Sequence, residues 1–159
     1  MRLMKEAYNE LINNPTFLEW GGDNEASYLC GCYNSRDGVN DDVWNFDFYN
    51  KNDTITTFQV SVEIKKNENQ EIFKEDSIKL NEINLDEVEV ELDSAIVNAK
   101  KSHKEEFSKT IAILQKSKEL QWNITMISAD FNVLKVRIDA ISGNELHRNF
   151  GSVLDFKKK

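Results

Sequence analysis

The sequence predicts an α+β fold of two repeated helix-plus-antiparallel-hairpin units, with the helices packed on antiparallel β-sheet. Three observations carry that prediction. First, "VWNFDFYNKNDTITTFQVSVE", Val43 to Glu63, alternates apolar and polar residues on both sides of a polar turn, the period of a half-buried hairpin. Second, "QWNITMISADFNVLKVRIDA", Gln121 to Ala140, is a looser echo of it. Trp44 and Trp122 stand 78 positions apart, as do Val60 and Ile138, so Asn45 meets Asn123 with no gap across the hairpin. Third, a helical pattern and a short candidate strand precede each hairpin. Each unit then reads helix, strand, strand, strand, strand. The first, degenerate unit covers residues 1–85 and the second 86–159, either as two units or as one compact domain with a shared core.

In the first unit, Leu3, Ala7 and Leu11, with Met4, Tyr8 and Ile12 beside them, form one apolar helical stripe that Asn13-Asn14-Pro15 ends. "TFLEW" adds a helical turn before Gly21-Gly22 stops the segment, and "ASYLCGCY" is a strand by its aromatic content and length. After the loop "NSRDGVNDD", Trp44, Phe46 and Phe48 lie on one face of the hairpin and Asn45, Asp47 and Tyr49 on the other. Past "NKND" the apolar face resumes with Phe58, Val60 and Val62. "KKNENQE" is a polar turn and "IFKEDSIKL" a weaker strand, which leads into the acidic "NEINLDEVEVEL".

In the second unit a helix begins at Asp93 or Ser94, with Leu92, Ala95, Ile96 and Ala99 as its stripe and Lys100, Lys101 and Lys104 toward its C-terminal end. "FSKTIAILQ" fits a helix through Phe107, Ile111 and Leu114 and a strand through its β-branched run. A strand from about Thr110 is favoured, paired through "KSKE" with "LQWNITMIS". The chain then alternates through Val136, Ile138 and Ala140, turns at Ser142-Gly143-Asn144 and returns as "ELHRNFGSVLDF".

"LDSAIVNAKK", "WNITMI" and "VRIDAISGNEL" together resemble the PepSY domain: an Ala-rich helix after a leading Leu-Asp, then a closing hairpin with an Asp-Ala-x-Thr-Gly turn, Ser142 standing in place of the usual Thr. The match is clearest over Leu92 to Phe156, and Val43 to Asp76 looks like a degenerate first copy. The resemblance implies a tandem PepSY-like α+β protein and a non-catalytic module that binds or restrains peptidases or regulates cell-envelope proteins. Trp44, Asn45, Trp122, Asn123, Asp139, Ala140 and Gly143 carry the motif. Physics gives several of them a structural meaning. Asp139 and Gly143 flank a tight turn, where Asp accepts backbone hydrogen bonds and Gly takes positive φ at little cost. Trp44 and Trp122 anchor helix on sheet, each burying on the order of 200 Å².

Composition narrows the function classes. A hydrophobic fraction of 40% is that of a soluble globule, and 28 acidic against 20 basic residues give a net charge of -8, which repels nucleic acid and anionic lipid. The cationic clusters, Lys100 to Lys104 and Lys157 to Lys159, lack interleaved aromatics and read as solvated. No apolar run approaches the roughly 18 residues of a membrane span, so no membrane insertion is expected. The location expected is cytoplasmic if Met1 is the native start and extracytoplasmic if a leader has been removed. A protein partner is expected, a homodimer through an exposed edge strand is compatible, and no cofactor or metal is implied.

Candidate chemistry is sparse. Cys30 and Cys32 are too close for an unstrained bridge and read as packing residues pointing the same way from a strand; as thiol nucleophiles they would need His103 or His147, which no spacing brings near. Asp37, Asn40, Asp41 and Asp42 offer oxygens without the order of an EF-hand loop, and Asp86 and Glu87 are adjacent carboxylates without a shared cleft. No catalytic residue is assigned. The expected function is a non-enzymatic binding or regulatory module, with an acidic antagonist, immunity protein or chaperone for a basic partner as the alternative.

Overall fold

The computed structural model of the protein describes residues 2–39, 41–71 and 80–153. Helix α1 (Met4–Ile12) buries Met4, Ala7 and Leu11 from its apolar stripe. Asn14 then caps α2 (Pro15–Asp23), its side-chain oxygen accepting from Thr16 N, with Pro15 in the first turn where its missing N–H is no loss. α2 runs through Gly21 and Gly22 rather than stopping before them. Buried Trp20 holds it in an aromatic cluster with Phe17, Phe48 and Phe58, which outweighs the weak helix propensity of two glycines.

Eight strands follow: β1 (Tyr28–Arg36), β2 (Trp44–Tyr49), β3 (Ile55–Val60), β4 (Ile64–Gln70), β5 (Phe107–Lys116), β6 (Leu120–Ser128), β7 (Asn132–Asp139) and β8 (Glu145–Ser152). Between β4 and β5 lie a single 3-10 turn (Leu85–Glu87) and α3 (Leu92–Lys100). The strands form one antiparallel sheet in the order β4-β3-β2-β1-β5-β6-β7-β8.

This architecture corrects the expected pair of α+β units. The molecule is dominated by one eight-stranded antiparallel sheet with three short helices, not by two repeated helix-plus-hairpin units each with its own sheet. The decisive contact is β1 against β5, where Cys32 pairs with Leu114, Tyr33 with Ile113 and Asn34 with Ala112. Two separate meanders would each leave one of these strands as an exposed row of unpaired N–H and C=O groups; joining them removes both edges at once. A single hydrophobic cluster runs through residues from Met4 to Ala140.

Other boundaries shift for local reasons. "IKKNENQ" is strand β4 rather than a turn, since it pairs with β3 from Val60–Ile64 to Ile55–Gln70. Val62 falls between β3 and β4 and is fully exposed instead of extending the apolar face. α3 starts at Leu92 because that side chain is itself buried, and β5 starts at Phe107. Residues 72–79, which hold most of the expected strand "IFKEDSIKL", lie outside the described residues.

Two tryptophans tie the helical layer to the sheet. Trp44 Nε1 donates to Arg2 O at 3.0 Å, just before α1, and Trp122 Nε1 donates to Val90 O at 2.8 Å, just before α3. Both rings are buried and stand 6.2 Å apart, centroid to centroid. The turn after β7 is closed by Asp139, whose Oδ1 accepts from Ile141 N and Ser142 N at 2.8 and 2.9 Å, and by Gly143 at φ +82°. Ala140, buried beside it, accepts from Glu89 N and Val90 N, which fixes the acidic segment over the sheet.

Candidate binding face

Alternation along the strands sorts their side chains into two transverse rows of opposite character. Phe58, Phe46, Cys32, Leu114, Trp122 and Ile138 are successive cross-strand partners, and all are buried under the helices. One residue further along, the row is Lys65, Gln59, Asn45, Tyr33, Ile113, Asn123, Arg137 and His147, again successive partners from β4 to β8. This second row points away from the core cluster. Its members are half-buried or exposed, and apart from Tyr33 and Ile113 they are polar. Asn45 and Asn123 belong to it, on the side of the sheet opposite the Trp44 and Trp122 rings.

The polar residues near its centre are held in place. Asp47, two residues from Asn45 along β2, accepts from Thr57 Oγ1 at 2.6 Å. Burial pushes the Asp47 carboxyl above its ordinary range, while the Thr57 hydroxyl opposes the shift. The Tyr33 hydroxyl is raised too, by burial first and then by the Asp47 charge. A raised carboxyl means that the folded state binds the proton more tightly than the unfolded chain. Asp47 therefore contributes stability below the unfolded value, which is lost as pH rises through the folded one. Asp47→Asn, whose side-chain oxygen still accepts from Thr57, is expected to gain stability relative to the parent as pH rises from about 3 to about 7. Urea midpoints of the two proteins across that range check this; a gap that shrinks with rising pH would contradict it.

The cysteines separate at a β-bulge. Leu29 pairs with Phe48 and Gly31 with Asp47, so Cys30 is the extra residue and the two thiols do not share a face as a regular strand would require. Cys32 joins the core cluster, whereas Cys30 Sγ donates to Asp47 O at 3.4 Å outside it. Burial, with the Asp47 charge second, raises the Cys30 thiol to about 12 and holds Cys32 well above its ordinary value. His147 stands on β8, four strands from β1 or roughly 19 Å away. His103 stacks on Phe150 of the same edge strand at 4.7 Å. Neither thiol is expected to react with a disulfide reagent at about pH 8 in the folded protein, and both should react after denaturation. Rapid native labelling of either would overturn this assignment.

The acidic loop uses its oxygens internally. Asp41 Oδ1 accepts from Asp37 N and Gly38 N, Asp37 Oδ1 from Val39 N, and Asp42 Oδ1 from Arg2 N. Asn40 lies outside the described residues. Among the described residues, no group of three or more His, Cys, Asp or Glu is arranged to hold a metal ion. Asp86 and Glu87 sit exposed on the 3-10 turn; Asp86 lines an open groove together with Glu82, Lys5 and Tyr8, and Glu87 is not among the lining residues. No helix among the described residues is long and apolar enough to cross a membrane.

Sequence reasoning marked Asn45, Asp47 and Tyr49 as the polar side of one hairpin but did not join them to Tyr33, Arg137 and His147. Strand alternation was the available signal; the pairing of β1 with β5, which turns two polar sides into one, has no local signature.

No protein-family model matches the chain, and no curated protein does. Among solved structures, the fold is similar to that of a "putative lipoprotein" from Clostridium difficile 630, with a TM-score of 0.61 and 15% identity over 94% of this chain and 93% of that one. At that identity the likeness is one of fold.

Proposed function

We propose that the protein is a non-enzymatic binding module in which the sheet face left open by the described helices receives a protein partner. The polar row that crosses all eight strands carries this reading. Steps of about 4.8 Å between strands make the face roughly 34 Å wide, and strand lengths near 20 Å give an area comparable to the roughly 800 Å² each partner contributes to a standard interface. Its side chains stand on a hydrogen-bonded ladder, so little backbone freedom is lost on binding. Thiols held in their protonated form supply no nucleophile, in keeping with a binding role. The PepSY resemblance adds a peptidase as the class of partner. With the neighbour's description, it favours the extracytoplasmic of the two settings.

A second reading has its own observation. Residues 82–93 carry Glu82, Asp86, Glu87, Glu89, Glu91 and Asp93 and no cation, on the helical side, where Ile83, Leu85 and Val88 are buried and the first four of those acids exposed. That strip suits a basic partner, as an acidic antagonist requires.

A photoreactive residue separates the two when placed either at Ile113, exposed in the centre of the polar row, or at Val97, exposed on α3. In lysate of the source organism, a protein adduct from position 113 and none from 97 is the expected result. Adducts from 97 alone would transfer the binding role to the acidic side.

A further inference from the structure

On the helical side of the sheet, α1, the start of β1 and the acidic segment border a groove of about 580 Å³. That volume lies within the range of small-molecule sites. Its floor is apolar: Leu29, Phe48, Ile83 and Leu85 line it, and all four side chains are buried. Tyr8 from α1 and Tyr28 from β1 line it as well. Such a lining takes the apolar surface of a ligand out of water, and aromatic rings also attract an organic cation.

Glu82 and Asp86 bring two carboxylates to the same groove, and Lys5 brings one ammonium. Lys5 Nζ is engaged, donating to Val88 O at 2.9 Å, whereas among the described residues neither carboxylate has a cation within ion-pair distance. Two negative charges against one positive leave the lining with a single negative charge, which one monovalent cation neutralises. Both acids also act on the Tyr8 hydroxyl. Burial raises that phenol above its ordinary value, and the charges of Cys32, Asp86 and Glu82 raise it further. Its ring packs on Phe46, but among the described residues its hydroxyl makes no hydrogen bond, so a neutral phenol oxygen is left to accept from an ammonium or guanidinium.

The backbone that carries these groups is fixed. Ile83 N donates to Leu29 O at 2.9 Å, which ties the acidic segment to β1, and Asn84 Oδ1 accepts from Asp86 N at 3.0 Å, which caps the 3-10 turn. Binding therefore costs little backbone ordering. A bare metal ion fits this lining poorly, because among the described residues no group of three or more His, Cys, Asp or Glu is arranged to hold one and the floor is apolar.

We propose that this groove binds a small organic monocation, an amine or guanidine attached to an apolar body. The body lies over Leu29, Phe48 and Ile83, and the cation lies among Glu82, Asp86 and the Tyr8 hydroxyl. The site is on the helical side of the sheet and does not depend on the polar face opposite.

An NMR titration of the isotopically labelled full chain with phenethylammonium tests this. Backbone shifts are expected in α1 around Tyr8 and Asn9, at Tyr28 and Leu29, and from Glu82 to Asp86. Phenethyl alcohol, the same body with a hydroxyl in place of the ammonium, should bind at least about tenfold more weakly, and phenylacetate should leave the groove unshifted. Glu82→Gln combined with Asp86→Asn should weaken phenethylammonium by a similar factor. Glu106→Gln combined with Glu119→Gln, an equal charge change at either end of β5, should not. All four side chains are exposed, so both variants are expected to fold. Shifts confined to other regions, an equal response to the alcohol, or full affinity in the Glu82 and Asp86 variant would overturn the proposal. So would a blocked Gly-Arg-Gly peptide that binds at least about tenfold more tightly than the amine, since the groove would then be a receptor for an arginine of a basic protein. Cross-linking from position 113 reads the sheet face alone, so failure of either reading leaves the other in place.

Discussion

Trp122→Ala is expected to lower the free energy of unfolding by about 3–5 kcal/mol, the range for removing a buried large aromatic from a packed core. Two effects add in this position. The ring is fully buried between Leu114 and Ile138 and near Trp44, so its loss opens a cavity under α3. Its Nε1 also donates to Val90 O, and that carbonyl sits in a segment carrying six acids between Glu82 and Asp93. Freed from the indole, the segment has repulsion among its carboxylates and less to hold it down. Trp122→Phe separates the effects, because it keeps most of the apolar volume and removes only the donor; it should cost about 1–2 kcal/mol. Urea unfolding gives both values, provided the slope with denaturant is unchanged. A loss below about 1 kcal/mol for the alanine variant would mean that the ring does not fasten the helical layer to the sheet.

A second large effect is expected at β5. Ala112→Pro and Ile113→Pro, made separately, should each cost roughly 3 kcal/mol or more, or prevent folding. Successive N–H groups in a strand point to opposite neighbours. In β5 one of these two residues donates toward β1 and the other toward β6, so both lose a ladder bond. In an edge strand one of the two positions would face solvent and tolerate proline far better. Lys65→Pro and Lys66→Pro on edge strand β4 are the internal comparison, and one of the two should be clearly milder than either β5 variant. Equal tolerance at Ala112 or Ile113 would mean that β5 has no partner on one side.

How much of this was legible in the sequence depends on whether the signal is local. The β2–β3 and β6–β7 hairpins show in alternation because one side of each is buried and the other is not, from Trp44 to Val60 and from Trp122 to Ile138. β4 was missed because an edge strand carrying Lys65, Lys66 and Glu68 has no apolar side to alternate. The helix through Gly21 and Gly22 was missed because its stability comes from Trp20 packing on Phe48 and Phe58, residues far along the chain. The β1–β5 pairing joins Tyr33 to Ile113, and nothing in either segment names the other. That omission produced the two-unit expectation. It also hid the candidate face, since the polar residues of each half look like ordinary solvated strand positions until the halves are joined. The bulge at Cys30 was equally invisible, although "CGC" contains the glycine that sits opposite Asp47.

The central claim is that one continuous sheet joins the two polar sides into one face, and backbone hydrogen exchange tests it most directly. Amides of β1 and β5 should be protected at consecutive positions, from Cys32 to Asn34 and from Ile111 to Leu114, because each strand has a hydrogen-bonded neighbour on both sides there. Protection at alternate positions only in these two strands, with the intervening amides exchanging like those of β4 and β8, would show two sheet edges instead of a shared centre and would contradict the account.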